Sequence, residues 1–276
     1  MPAACRLALA LSLALTLPPL ADAQDKGPAK VRILLLGDST VIGSVCRRQA
    51  PKADHLEDVI RKLLAAEPDL PPAEVLNRGR DGEFVQGLLA GRYDKEVARL
   101  PRLDFVLVRY GLNDHGRRKD FPTNFPRDLQ ELVRRLSKDH PGCQVVLETV
   151  IPYFGEPADK QINDLVRAVA AEENLPLLDT YARYDAELKY GRNLLSYRRV
   201  QLDKVPAKYR PLLPPGSVKG NDVVVLDNLL DAHLRDVRGW FRDRHPNLAG
   251  YHVIGDEAAR FLAPRIRERV KAAAQP

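Results

Sequence analysis

The sequence predicts an α/β fold, a doubly wound parallel sheet of about five strands flanked by helices. Two observations predict it. Short, almost continuously apolar runs recur along the chain, as strands buried on both faces read. Between them, apolar residues repeat at helical spacing, the stripe of a helix lying on such a sheet.

The first run, Val31-Arg32-Ile33-Leu34-Leu35-Leu36, ends at Gly37. Leu56, Val59, Ile60, Leu63 and Leu64 then mark one helix face. Glu74-Val75-Leu76 is a brief second strand and Phe105-Val106-Leu107-Val108 a third, followed by a helix with Leu129, Leu132, Val133 and Leu136. Val145-Val146-Leu147 is the fourth strand, before a helix with Ile162, Leu165, Val166 and Val169. Leu177-Leu178 forms a short fifth. Ile254, Ala258, Leu262, Ile266 and Val270 close the chain in a last helix, which Pro264 is expected to kink. Crossovers in such sheets are right-handed, and ligands bind beyond the carboxyl ends of the strands. Polar residues directly after each strand therefore matter most.

Composition narrows the function classes. The chain has 276 residues, 43 Lys+Arg against 37 Asp+Glu, and 45% hydrophobic residues, which describes a soluble globular protein. Three cysteines are too few for a disulfide framework or a four-cysteine zinc site. The net charge of +6 and pI near 9.2 raise the question of nucleic acid. The bases are interleaved with acids, without stacked aromatics or a recognition helix, so no nucleic-acid partner is expected. His55, His140, His233 and His252 lack metal-ligand spacing, and no phosphate loop or dinucleotide fingerprint occurs. Neither a metal nor a cofactor is expected.

Residues 1–23 read as a secretory signal peptide. Arg6 precedes the apolar run Leu7 to Leu17, and Ala21-Asp22-Ala23 offers a cleavage site before Gln24. The run is shorter than the roughly 20 residues that span a bilayer, so cleavage would leave no integral membrane segment. The expected mature chain is one domain, residues 24–276, in the periplasm or outside the cell. Its two cysteines, Cys46 and Cys143, read as separately buried thiols, with a disulfide as the alternative.

From Arg183 to Arg244 the strand–helix rhythm breaks. This stretch holds 13 Lys+Arg against 8 Asp+Glu, so most of the excess charge sits here, along with Tyr184, Tyr190, Tyr197 and Tyr209. It reads as an insertion at about 183–240, either a substrate cover or a surface elaboration.

Four segments carry residues able to do chemistry. Gly37-Asp38-Ser39-Thr40 follows the first strand, placing Ser39 at the amino end of a helix, where N–H groups can stabilise an oxyanion. Asp, Ser and Thr are also ordinary helix caps. Asn77-Arg78-Gly79-Arg80-Asp81-Gly82 follows the second strand, with glycines that permit a tight turn and a close backbone approach. Tyr110-Gly111-Leu112-Asn113-Asp114 follows the third and sets a side-chain amide beside the serine. Arg242-Asp243-Arg244-His245-Pro246-Asn247, with Gly250 beyond, precedes the last helix. His115, next to the third segment, reads as a surface histidine.

In order and placement these segments resemble the four blocks of the SGNH, or GDSL, esterase/lipase superfamily, and the resemblance runs from Val31 to about the last helix. It implies a flavodoxin-like doubly wound sheet of SGNH-hydrolase architecture and a cofactor-free serine esterase. Carried onto this sequence, it makes Ser39 the nucleophile and His245 the base. The oxyanion hole would comprise the Ser39 and Gly82 amides and the Asn113 side chain, with Gly79 serving the turn. One departure is plain. The family's acid lies three residues before the histidine, where this chain has Arg242; Asp243, two residues before, is the expected orienting acid. The implied substrate is a small-molecule or polysaccharide ester. Exported relatives often remove acetyl groups from polysaccharides, and a Tyr- and Arg-rich cover suits a sugar face or an acidic saccharide. The alternatives are a lipase or lysophospholipase, or a carbohydrate-binding protein that has lost turnover.

Overall fold

The computed structural model describes residues 30–191 and 193–274; the expected signal peptide lies outside the described residues. The main sheet has five parallel strands, β1 (Val31–Gly37), β2 (Ala73–Asn77), β3 (Phe105–Arg109), β4 (Gln144–Glu148) and β5 (Leu177–Leu178), in the order β2-β1-β3-β4-β5. The helices are α1 (Ser39–Ile42), α2 (Ser44–Gln49), α3 (Leu56–Ala65), α4 (Val85–Ala90), α5 (Leu112–Arg117), α6 (Phe121–Asp139), α7 (Ala158–Glu172), α8 (Thr180–Leu188), α9 (Asp231–Leu234) and α10 (Leu248–Ala273).

Strand periodicity splits the core in two. Ile33 and Leu35 of β1, with Phe105 and Leu107 of β3, face a cluster that includes Leu56 and Ile60 of α3, Tyr184 of α8 and Ile254 and Leu262 of α10. Leu34, Leu36, Val106 and Val108 face the other side, onto Val85, Leu129, Leu132, Ile162 and Val166. Consecutive side chains point to opposite faces, so runs without a polar partner are what a doubly covered sheet demands. The helix α10 continues through Pro264 as one 26-residue element.

The strand order reverses direction of growth at β1, so the crevice between the ends of β1 and β3 is the topological switch point. Ser39 follows one of these strands and Asn113 the other.

The insertion builds a second, antiparallel sheet of β6 (Arg198–Gln201), β7 (Val218–Lys219) and β8 (Asp222–Val225), ordered β6-β8-β7. Val200, Val205, Val223, Val225, Leu230, Leu234 and Trp240 form its own small core. In β6 the exposure alternates, which buries Arg198 and exposes Arg199. Arg198 is therefore not a cleft residue: its guanidinium grips the Asp231 carboxylate at 2.6 and 2.9 Å and donates to Ser196 O. Trp240 Nε1 donates to the same carboxylate. Cys46 and Cys143 are both free thiols.

Candidate active site

The turn that carries Ser39 is built by four contacts. Asp38 caps α1, its Oδ1 accepting from the Thr40 amide and hydroxyl at 2.8 and 2.7 Å. Burial pushes the Asp38 carboxyl up, against the pull of these Thr40 bonds and of Arg109. Arg109, buried at the end of β3 and paired with Glu148, donates to Thr40 O at 2.9 Å. From α10, Tyr251 donates to Ser39 O at 3.3 Å. α1 ends at Gly43, whose φ of 63° lies in the left-handed region, and the Tyr251 ring fills the space a β-carbon would need there. The chain also passes tightly at Gly37, where a β-carbon would lie 2.6 Å from Arg109 O.

The second segment is tied to the first. Asn77 donates to Val41 O and accepts from Gly79 N. A β-carbon on Gly79 would meet Ile42 N at 2.7 Å, so this glycine allows the close approach of two loops. Gly82 has φ of 70°, and its carbonyl accepts from Arg117 at 2.6 Å. Beneath it lies a buried network: Glu83 pairs with Arg92 and accepts from the Tyr110 hydroxyl at 2.6 Å, while Arg92 reaches Arg78 O.

The third segment follows Gly111. Asp114 accepts from the amides of Gly111 and Val85, fixing the turn to α4; burial pushes its carboxyl up to about 7 against these bonds. Asn113 donates one amide hydrogen to Glu83 O at 3.1 Å, and its nitrogen sits 3.4 Å from Asp38 Oδ2, a long contact. The second hydrogen is thus only weakly engaged.

The fourth segment is pinned to the insertion. Tyr197 N donates to His245 O and Asn247 N to Leu195 O. Asn247 caps α10 through Gly250 N, and its amide donates to the carbonyls of Leu194, Ser196 and Leu226. Gly250 is required by proximity: a β-carbon would lie 2.6 Å from both Leu195 O and the Tyr184 hydroxyl.

The fold brings Ser39, His245 and Asp243 into one line. Ser39 Oγ is 2.9 Å from His245 Nε2, and His245 Nδ1 is 2.7 Å from Asp243 Oδ1. A carboxylate only accepts, so Nδ1 carries the proton and Nε2 presents its lone pair to the serine. Burial raises the Asp243 carboxyl, but hydrogen bonds from and attraction to His245 outweigh it and hold it below the ordinary value of 3.8. Arg199 Nε adds a cation 3.8 Å from Asp243 Oδ2. Arg242 is exposed.

Two tyrosines frame the imidazole. The Tyr197 ring lies nearly parallel to it, 12° apart with centroids 5.7 Å distant; the Tyr153 ring stands perpendicular. The Tyr153 oxygen is within hydrogen-bond distance of both ring nitrogens, 3.2 Å from Nδ1 and 3.5 Å from Nε2. Burial, then the Asp243 charge, push this phenol up to about 12. Tyr153 had no motif to mark it; its position after β4 was the available signal.

Ser39, Gly82, Asn113 and His245 line one pocket of about 310 Å³ with Tyr153, Tyr197 and Arg199. Cys46 is also in its wall, its thiol donating to Pro246 O and pushed up to about 12 by burial. His115 lies outside this pocket, half-buried against Phe121 and Phe154. Among the described residues no three metal-ligating side chains cluster, and no helix is long and apolar enough to cross a membrane.

The same fold recurs in solved structures. A lipolytic protein of the G-D-S-L family from Veillonella parvula matches with TM-score 0.52 and 15% identity, over 84% of this chain and 97% of that one. Axe2, an acetylxylan esterase from Geobacillus stearothermophilus, matches with TM-score 0.52 and 21% identity, over 83% and 93%. A lipase/acylhydrolase from Enterococcus faecalis matches with TM-score 0.53 and 20% identity, over 85% and 96%. No curated protein matches the chain. The sheet and its flanking helices define the class, the SGNH-hydrolase fold. The sequence goes further: residues 35–201 match the GDSL-like lipase/acylhydrolase family, so the chain belongs to that family and is a carboxylic ester hydrolase. That match takes in Ser39, Gly82 and Asn113 and ends before Asp243 and His245.

Proposed function

We propose that the protein is an exported serine esterase that removes short acyl groups, acetyl above all, from carbohydrate. The observation that carries the mechanism is the unbroken hydrogen-bonded line from Ser39 through His245 to Asp243. Ser39 Oγ attacks the ester carbonyl as His245 Nε2 takes its proton, and Asp243 holds the imidazolium. The tetrahedral oxyanion is received by the N–H groups of Ser39 and Gly82 and the weakly engaged hydrogen of Asn113. His245 then protonates the leaving alcohol. Water repeats the sequence on the acyl-enzyme and frees the acid.

Four features support the carbohydrate reading. The pocket is small, about 310 Å³, and polar groups share its walls with rings, which suits an acetyl group better than a long acyl chain. Phe154 and Tyr153 stand at its rim. Axe2, one of the structures of this fold, is described as an acetylxylan esterase. The leader of residues 1–23 supports export, where polysaccharide is met.

A phosphonate ester that phosphonylates active serines tests the mechanism, and a substrate panel tests the specificity. Labelling should map to Ser39, and acetylated oligosaccharides should be turned over with a higher kcat/KM than long-chain aryl esters. Labelling elsewhere, or a preference for long acyl chains, would overturn the respective half of the proposal.

A further inference from the structure

The catalytic pocket opens past Tyr153, Phe154 and Arg199, which it shares with a neighbouring groove of about 1450 Å³ on the side of the insertion. Six cationic side chains line that groove: Arg199, Lys204, Arg235, Arg238, Arg242 and Arg244. Its acids are Asp222, Asp236 and Asp243, and Asp243 is already engaged by His245. Of the six cations, only Arg199 has a carboxylate within ion-pair reach among the described residues, Asp243 at 3.8 Å. The others therefore keep donors free for a ligand, unlike buried Arg198, each of whose three guanidinium nitrogens donates to Asp231 or Ser196. Trp240, which lines the groove, donates to the same Asp231 carboxylate. At the junction of groove and pocket sits Phe154, 50% exposed and packed edge-on against Tyr153.

Size and charge together describe the occupant. The groove is several times larger than the catalytic pocket, so it suits the carrier of the ester rather than the acyl group. An exposed ring offers an apolar face to the C–H side of a sugar. Free guanidinium forks match the planar oxygens of a carboxylate or the oxygens of a sulfate. Nucleic acid is the less favoured polyanion, because a strand of bases calls for a succession of stacking rings and the junction offers one.

We infer that this groove binds the anionic part of the substrate, a polysaccharide carrying carboxylate or sulfate groups, while an ester on a neighbouring sugar enters the Ser39 pocket. The inference rests on the carbohydrate reading above. Arg238 and Arg242 hold the anion at a distance from the reacting atoms, and Arg199 lies where groove and pocket meet.

The test separates the groove from the chemistry. Binding is measured by calorimetry on the full-length Ser39→Ala protein with polygalacturonate, dextran sulfate, neutral xylan, polyglutamate and duplex DNA. A charged saccharide should bind at least about tenfold more tightly than xylan, and adding Arg238→Gln and Arg242→Gln should erase about that factor. Which charged saccharide binds distinguishes carboxylate from sulfate. Both arginines are exposed, and Lys204→Gln gives an independent reading of the same groove. Equal affinity for xylan, or for polyglutamate or DNA, would overturn the inference. Acetate release by the unmodified enzyme from acetylated polygalacturonate and acetylated xylan is read in parallel. Binding without release from either polymer would sink the deacetylation reading and leave the groove standing. Release without a preference for charge would do the reverse.

Discussion

A single oxygen of Asp243, Oδ1, accepts two hydrogen bonds from His245: one from the backbone N–H at 3.0 Å and one from Nδ1 at 2.7 Å. The first closes an Asx turn, in which an Asp side chain caps the amide two residues on. That turn is what allows an acid two places before the histidine to reach its ring. The spacing thereby solves two problems with one atom, loop conformation and imidazole orientation.

Asp243→Asn keeps an oxygen for the turn but removes the charge facing the imidazolium. We expect kcat to fall about a hundredfold, or about 2.7 kcal/mol of barrier. Asp243→Ala should fall further, since the turn loses its acceptor as well. Steady-state hydrolysis of an aryl acetate checks both. A near-normal kcat for Asp243→Asn would leave a Ser39–His245 pair oriented by something else.

The depressed Asp243 ionisation makes a stability prediction. A carboxyl held below its ordinary value in the folded protein stabilises at every pH above that value, and the stabilisation is lost as pH falls through the folded one. The wild-type protein should therefore exceed Asp243→Asn in unfolding free energy at pH 7, and the gap should narrow as pH falls from the ordinary value of 3.8 towards the lower folded one. Urea titrations at pH 7 and pH 3 measure it; a gap at pH 3 no smaller than at pH 7 would contradict the assignment.

Asn247 joins α10 to three carbonyls of the insertion as well as capping the helix. Removing a cap and stranding buried acceptors costs about 2 kcal/mol or more. Asn247→Ala should lower Tm by several degrees and reduce kcat together with it, because the His245 loop hangs between the same elements. Unchanged stability would mean that the loop is held elsewhere.

Neighbouring Arg198 and Arg199 should separate cleanly. Arg198→Ala leaves the Asp231 carboxylate without its partner and should cost about 3 kcal/mol of stability. Arg199→Ala, on the exposed side of β6, should leave Tm nearly unchanged while raising KM for the polymeric substrate. Melting curves and Michaelis plots of the two variants, side by side, check the division.

Much of this was legible in the chain. Ile33 to Leu36 and Phe105 to Val108 read as strands because a sheet covered on both faces needs apolar residues on both; Ser39 and Asn113 come just after these two strands, and Gly82 after the second, Ala73–Asn77. The second sheet was harder to see, since its strands are of two to four residues and interrupted by charge. A signal existed: Gly220-Asn221, a two-residue hairpin turn with Gly220 at φ of 60°, precedes Val223-Val224-Val225. The different fates of Arg198 and Arg199 follow from strand alternation, which cannot be applied until the strand is recognised. Tyr153 and Tyr197 meet His245 from segments far apart in sequence, so no local pattern could pair them.

The central claim is that Ser39 performs the attack. Ser39→Ala removes the nucleophilic oxygen and little else, as the turn is held through backbone atoms by Arg109, Tyr251 and Asp38. The decisive measurement is the turnover of an aryl acetate by purified Ser39→Ala protein whose melting temperature matches that of the parent. Hydrolysis should drop to the uncatalysed background. Turnover at the parent's rate by the folded variant would contradict it.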